Sequence, residues 1–247
     1  MDKNSNSYIF IYASVMVVLV AVVLTSANLA LKPLQEKNIE NEKMINLLSS
    51  IGVESNAKTA SDLYGKYLVK EVILDKDGNE LSVYAKGKFE VGDSRAFNVN
   101  LKSALNDIKK EGKVAMPLFI MENEGERFYI IPVYGKGLWG PIYGNVALES
   151  DKNTVAAVNF GHDSETPGLG AEIVDAPFTS MFINKHIFKD GKFVSVSVIK
   201  GGVANQSKVA EENGVDAISG STLTCNGVSD MLNDCMENYV NYLKKDK

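Results

Sequence analysis

The stretch at 216–243 reads DAISGSTLTCNGVSDMLNDCMENYVNYL and joins a short polar run to a strongly amphipathic pattern. In its second part, apolar residues recur three and four positions apart, which places them on one stripe of a helix. They are Val228, Met231, Leu232, Cys235, Met236, Tyr239, Val240 and Leu243. The stretch therefore predicts a C-terminal helix that packs on the core through this stripe.

The polar run in front of this helix has two interpretations. Thr222 follows Gly220 and Ser221 at the point where the helix is expected to begin. Backbone N–H groups and the helix dipole favour an anion at such a position, so a phosphate could be held there. Serine and threonine are also common N-cap residues. The run alone is compatible with a phosphate site or with a simple helix cap.

Apolar segments upstream of this helix form three pairs, and each pair flanks a turn sequence. The segments at 67–74 and 81–85 flank Asp77-Gly78, those at 114–121 and 127–133 flank 123–125, and those at 146–148 and 154–158 flank 151–153. Such pairs are typical of β-hairpins. The alternating run at 193–198 predicts one more strand. With few helices, the pattern indicates an α+β domain with mainly antiparallel strands.

The N-terminal segment at 8–31 contains no charged residue. As a helix it is roughly 36 Å long, enough to cross a bilayer core of about 30 Å. Ser26-Ala27-Asn28 resembles a cleavage site, but apolar residues resume at Leu29, so an uncleaved transmembrane helix is predicted. Pro33 is expected to end this helix or to begin another that continues to about Gly52. The lysines after the span mildly favour a cytoplasmic domain.

Composition excludes several functions. The net charge of −5 gives a nucleic-acid partner no electrostatic support. Cys225 and Cys235 lie roughly 15 Å apart on the predicted helix, too far for a disulfide. No metal site is expected from these cysteines or from the two histidines. No nucleophile elbow, phosphate loop or dinucleotide-binding fingerprint is present, so nicotinamide chemistry must occur on another polypeptide.

Two glycine-rich runs are further candidates for binding. Residues 161–172 read GHDSETPGLGAE, and residues 135–144 read GKGLWGPIYG with the only tryptophan, Trp139. Glycine lets the backbone approach a flat ligand closely. A surface turn is the alternative for the first run, and a buried tryptophan at a sheet end is the alternative for the second.

The apolar span, GLWGPIYG at 137–144, HDSETPGLGAE at 162–172 and DAISGSTLTCNGV at 216–228 occur together and in this order. The whole chain thereby resembles the C subunit of the Na+-translocating NADH:quinone reductase. The motif of that family usually reads Ser-Gly-Ala-Thr. Here Ser221 replaces the alanine, which adds a hydroxyl group next to Thr222.

The resemblance implies that Thr222 carries FMN covalently through a phosphoester. A separate flavin transferase would install the FMN from FAD, recognising the motif that begins at Asp216. The expected contacts of the flavin ring are Trp139, Glu165, Thr166, Gly168, Leu169 and Gly170. The expected surroundings of the phosphate are Ser219, Gly220, Ser221, Leu223 and Thr224. No residue of this chain is expected to act as a catalytic residue or a metal ligand.

The resemblance also implies a place and a role. The span at 8–31 would anchor the chain in the bacterial inner membrane after a short cytoplasmic segment at 1–7. A membrane-proximal α+β region at 32–133 and an FMN-binding domain at 134–247 would lie on the periplasmic side, against the weak indication of the lysines. The flavin would relay electrons from NADH towards quinone, together with other subunits of a complex that exports Na+.

Three alternatives remain at this point. The G subunit of the Rnf-type ferredoxin:NAD+ oxidoreductase complex has a similar anchor and flavin motif. A membrane-anchored extracytoplasmic binding module without cofactor would use Thr222 only as a helix cap. A free-standing flavoenzyme would need a cluster of acid–base groups, and the sequence shows no such cluster.

Overall fold

The structure is a computed structural model that describes residues 5–111, 114–206 and 208–245. It forms two compact units, Met1–Lys43 and Met44–Lys247. Helix α1 (Asn6–Ser49) is long and apolar enough to cross a membrane, judged by length and composition. The predicted break at Pro33 is wrong, because Pro33 lies inside α1. A proline there forfeits one hydrogen bond, to the Leu29 carbonyl, and the rest of this 44-residue helix compensates.

A seven-stranded antiparallel sheet forms the centre of the second unit. Its spatial order is β3-β2-β1-β4-β5-β6-β7. The strands are β1 (Leu68–Leu74), β2 (Glu80–Ala85), β3 (Lys88–Val91), β4 (Met116–Asn123), β5 (Glu126–Lys136), β6 (Pro141–Leu148) and β7 (Val155–His162). The α+β fold class with mainly antiparallel strands is thus confirmed.

The three predicted hairpins are β1–β2, β4–β5 and β6–β7. Each turn contains a residue in the left-handed region, such as Gly78 at φ 72°, Gly125 at φ 84° and Lys152 at φ 57°. Strand β5 extends from Glu126 to Lys136. The expected boundary between 133 and 134 therefore falls within one strand of a continuous sheet.

One face of the sheet is covered by helices α3 (Leu101–Glu111), α5 (Thr222–Met236) and α6 (Val240–Leu243). The predicted stripe of the C-terminal helix is confirmed, since its residues are buried apart from the half-buried Val240. The helix lies very close to β5. A Cβ atom at Gly227 would collide with the backbone carbonyl of Lys136, and one at Gly135 would collide with Met231.

The opposite face is covered by the last turn of α1 and by α2 (Ala60–Tyr67), with Leu47 and Leu48 fully buried. Asn159 on β7 donates hydrogen bonds to the Asn46 carbonyl at 2.6 Å and to Ser50 Oγ at 2.8 Å. The end of α1 is therefore part of the folded domain through both apolar and polar contacts.

The predicted strand at 193–198 is wrong. After the short helix α4 (Ala176–Thr179), the structure has β8 (Phe188–Lys189), β9 (Lys192–Phe193) and, after a break, β10 (Ser197–Ile199). Ser195 has φ 59°, and the Ile187 carbonyl accepts hydrogen bonds from the N–H groups of both Val194 and Ser195. This kink redirects the chain, so that β10 pairs in parallel with β11 (Gly214–Asp216), which leads into the run at 216–224.

Candidate functional site

Three segments that are distant in sequence meet at the carboxylate of Glu165. They are the loop between β5 and β6, the loop after β7 and the first turn of α5. Glu165 Oε1 accepts a hydrogen bond from the Trp139 backbone N–H at 2.9 Å. Glu165 Oε2 accepts one from the Thr224 hydroxyl at 2.6 Å. Glu165 is only 5% exposed, so these protein groups replace water around its carboxylate.

Two glycines make this approach possible. A Cβ atom at Gly170 would lie 2.5 Å from both Glu165 Oε2 and Thr224 Oγ1. A Cβ atom at Gly137 would collide with Glu165 Oε1. Since real Cβ atoms do not approach so closely, a larger residue at either position would displace the Glu165 carboxylate.

The carboxylate of Glu165 is stabilised in its ionised form. Burial raises the pKa of this group, but hydrogen bonds from the Thr224 hydroxyl and from the backbone N–H groups of Trp139 and Gly140 outweigh burial, with a smaller contribution from His162. The pKa therefore lies below its usual value. The site carries a fixed negative charge at neutral pH.

This charge gives the domain a pH-dependent stability. Because the folded-state pKa of Glu165 is lowered, its contribution is present above the unfolded-state pKa and is lost as pH falls through the folded-state pKa. We expect the difference in unfolding free energy between the wild type and Glu165→Gln to be largest near neutral pH. It should shrink below about pH 5. Urea unfolding at several pH values measures it, and a difference that stays constant into acid would contradict the assignment.

Thr222 is the first residue of α5 and is half-buried. Ser221 occupies the N-cap position, but its side chain makes no capping hydrogen bond. Its hydroxyl is one of three buried side-chain groups without a hydrogen-bond partner among the residues that the structure describes. Gly220 has φ 79°, and a Cβ atom there would lie 2.9 Å from Leu169 Cδ2. The start of α5 thus combines a helix N-terminus with an unpaired hydroxyl.

Large apolar side chains are exposed on the three segments that meet at Glu165. The exposed fractions are 45% for Leu138, 66% for Trp139, 40% for Leu169 and 60% for Leu223. The alternative of a buried tryptophan is therefore wrong. Exposed apolar side chains next to the buried Glu165 carboxylate are suited to bind a flat, partly apolar ligand.

Most of the predicted site residues lie together on these three segments. Trp139 and Thr224 each donate a hydrogen bond to Glu165, and Gly170 lies against Glu165 and Thr224. The exposed Leu169 and Leu223 belong to the same segments. The exposed Thr166 shapes its loop, because its carbonyl accepts hydrogen bonds from the N–H groups of Leu169 and Ala171. Gly168 is exposed and has φ 76°.

Two residues at the start of the run have neighbours other than Glu165. Ser219 is exposed and lines a cavity of about 420 Å³ together with Glu172, Asp175 and Phe178. Asp216 is exposed at the end of β11, and its Oδ1 accepts a hydrogen bond from the Val203 N–H at 2.7 Å. Sequence reasoning missed Gly137 and Gly140, although the glycine-rich run around Trp139 was a signal that the backbone there is approached closely.

Comparison with known proteins identifies the class first. A family model described as FMN-binding domain matches residues 137–237, a range that contains the three segments around Glu165. The fold and the site therefore define an FMN-binding domain preceded by one long apolar helix.

Solved structures and curated relatives specify the family. The crystal structure of the C subunit of Na+-translocating NADH-quinone reductase from Parabacteroides distasonis shares 33% identity, with a TM-score of 0.75, over 88% of this chain and 98% of that one. NqrC from Shewanella oneidensis is 29% identical, with a TM-score of 0.63, over 83% of this chain and 97% of that chain. The C subunit from Neisseria meningitidis is 30% identical over 92% of this chain and 88% of its own length. The chain belongs to the NqrC family of Na+-translocating NADH-quinone reductase subunits, as its motifs predicted.

Proposed function

We propose that this chain carries FMN covalently, through a phosphoester to Thr222, and relays electrons from NADH towards quinone in the Na+-translocating complex. The observation that carries the proposal is the arrangement at the start of α5. Thr222 is partly accessible there, next to a buried Ser221 hydroxyl without a partner and at a helix N-terminus that favours an anion.

The neighbouring hydroxyls favour Thr222 as the acceptor. The Thr224 hydroxyl is already bonded to Glu165, and Thr224 is only 2% exposed. A phosphoester on Thr224 would break this bond and place a second negative group against a buried carboxylate, which is unfavourable. Ser221 is also buried, so its hydroxyl is better suited to donate to the phosphate than to carry it.

The residues present fit the rest of the cofactor. Ser219, Gly220, Ser221, Leu223 and the backbone of Thr224 would surround the phosphate, since the Thr224 hydroxyl is bonded to Glu165. The exposed Trp139 and Leu169 would contact the ring, together with Thr166, Gly168 and Gly170. Glu165 would hold the Trp139 loop in place through its hydrogen bond. When bound, the flavin supplies the electron-transfer chemistry, and the protein supplies orientation and electrostatics. A covalent link keeps the cofactor from leaving between turnovers.

Attachment requires a separate flavin transferase. The Thr222 Oγ1–phosphorus bond forms while the diphosphate bond of FAD breaks, AMP leaves and the hydroxyl proton is lost. Asp216 is exposed at the beginning of the motif, which suits recognition by the transferase. Other subunits of the reductase would donate and accept the electrons and would translocate Na+.

The proposal includes an arrangement in the inner membrane. The segment at 8–31 spans the membrane, 1–7 lies in the cytoplasm, and both the membrane-proximal region at 32–133 and the FMN-binding region at 134–247 lie in the periplasm. The length and hydropathy of α1 support a single pass. Attachment of flavin outside the cytoplasm requires the periplasmic position.

The test is to export the full chain with and without a flavin transferase, denature it and examine the gel band for flavin fluorescence. A fluorescent band that requires the transferase supports the proposal. A dark band under both conditions, with the transferase active on a control substrate, contradicts it. The anchored binding module without cofactor would then be the better explanation.

The single tryptophan gives an independent measurement. If the ring lies beside Trp139, we expect strong quenching of its fluorescence in the flavinylated protein, because flavins absorb where tryptophan emits. Denaturation, which separates the ring from Trp139 on average, should restore most of the emission. Emission that is equal in the flavinylated and unmodified native proteins would contradict the assignment of Trp139.

A further inference from the structure

We propose that Glu165 is a positioning residue for flavin attachment, whose buried carboxylate holds the first turn of α5 and the Trp139 loop where the Thr222 hydroxyl is presented for transfer. This inference rests on the proposed function, in which Thr222 accepts the FMN phosphate. Glu165 acts through its hydrogen bonds and does not need to contact the cofactor.

The connectivity of the carboxylate supports this role. One oxygen accepts a hydrogen bond from the Trp139 N–H, 26 residues away in sequence, and the other accepts one from the Thr224 hydroxyl, 59 residues away. Thr224 is two residues after Thr222 in the same helical turn. The bond to Thr224 therefore fixes the turn that carries the acceptor, relative to the loop that carries the exposed tryptophan.

The surrounding packing leaves this carboxylate little freedom. The Cα atoms of Gly137 and Gly170 approach so closely that a Cβ atom at either position would strike Glu165. The carboxylate is also removed from solvent and bonded at both oxygens. An ionised group in such surroundings is costly to bury unless its bonds are kept, so it strongly favours one arrangement of the three segments.

The chain offers a matched control in Glu71. This second buried glutamate is 1% exposed and accepts hydrogen bonds from the Tyr64 hydroxyl, from Arg95 and from the Phe97 N–H. It lies on β1, packs on the opposite face of the sheet from α5 and belongs to neither of the glycine-rich runs. Its loss should lower stability without altering the start of α5.

The experiment measures the rate at which the transferase attaches flavin to the full chain, below the temperature at which each variant unfolds. Glu165→Leu and Thr224→Val should lower kcat by about 10- to 100-fold, the usual effect of misplacing a reacting group. KM should change little, because the exposed Asp216 is unaltered. The carbonyl oxygen of Glu165→Gln can still accept from the Trp139 N–H, and its amide can donate to the Thr224 hydroxyl oxygen, so this variant should remain close to the wild type. Glu71→Leu should also react like the wild type.

Urea unfolding of each variant separates positioning from stability. Wild-type rates in both Glu165→Leu and Thr224→Val, or equal slowing in Glu71→Leu and Glu165→Leu, would overturn the positioning role. If Glu165→Leu does not fold, Thr224→Val decides, because valine preserves the shape of threonine and replaces only the hydroxyl with a methyl group. Absence of covalent flavin on the wild type would instead overturn the proposed function itself.

Discussion

Thr222→Val should yield a folded chain without any covalent flavin. Valine fills the volume of threonine but has no hydroxyl to form the phosphoester, so the loss is expected to be complete. The free energy of unfolding should change by no more than about 0.5 kcal/mol, as for a typical surface substitution. The reason is that Thr222 is half-buried and Ser221, not Thr222, occupies the N-cap position. Gel fluorescence and urea unfolding measure the two effects.

Neighbouring serines provide the controls. Ser221→Ala restores the residue that is usual in the family motif, and Ser219→Ala removes an exposed hydroxyl. Both variants should keep the covalent flavin. A fluorescent band on Thr222→Val, or loss of the band only in Ser221→Ala, would show that the phosphate is attached to a different hydroxyl.

Gly227→Ala should destabilise the domain, although alanine is the better helix former. The propensity gain is about 1 kcal/mol. However, the new Cβ atom would collide with the Lys136 carbonyl, a backbone atom that cannot rotate away. Separating α5 from β5 to relieve this overlap disturbs a close-packed core. We expect a net loss of about 1–3 kcal/mol in the free energy of unfolding, measured with urea.

Gly65→Ala is the matched substitution, because Gly65 is also a helical glycine. It lies on α2, where a Cβ atom would meet nothing within 4 Å. Alanine should therefore raise stability by about 0.5–1 kcal/mol. The two substitutions are chemically identical and should have opposite signs. Equal effects would contradict the close contact between α5 and β5.

The sequence predicted those parts of the fold that depend on local signals. The three hairpins were recognised from turn residues next to apolar segments, and the C-terminal helix from its single stripe. The prediction of a strand at 193–198 is wrong, because Ser195 adopts a positive φ in spite of the alternating pattern. Nothing in the local pattern specifies the two hydrogen bonds to the Ile187 carbonyl that produce this kink.

The same limit applies to the site. The motifs around Trp139, Glu165 and Thr222 were recognised individually, because each combines glycine with polar or aromatic residues. Their convergence on one carboxylate is a tertiary contact, and Glu165 and Thr224 are 59 residues apart. Sequence reasoning assigned Glu165 to the ring environment but did not predict the two hydrogen bonds that its oxygens accept from Trp139 and Thr224.

Whether a proteolytic fragment of this domain stays folded depends on whether it keeps the last turn of α1. The compact unit begins at Met44, so a cut just before Met44 keeps the buried Leu47 and Leu48 in the domain. A cut after Ile51 removes Leu47 and Leu48, both fully buried, together with the polar partners of Asn159. The fragment that begins at Met44 would retain the folded core. The fragment that begins after Ile51 would expose an apolar face of its sheet to water.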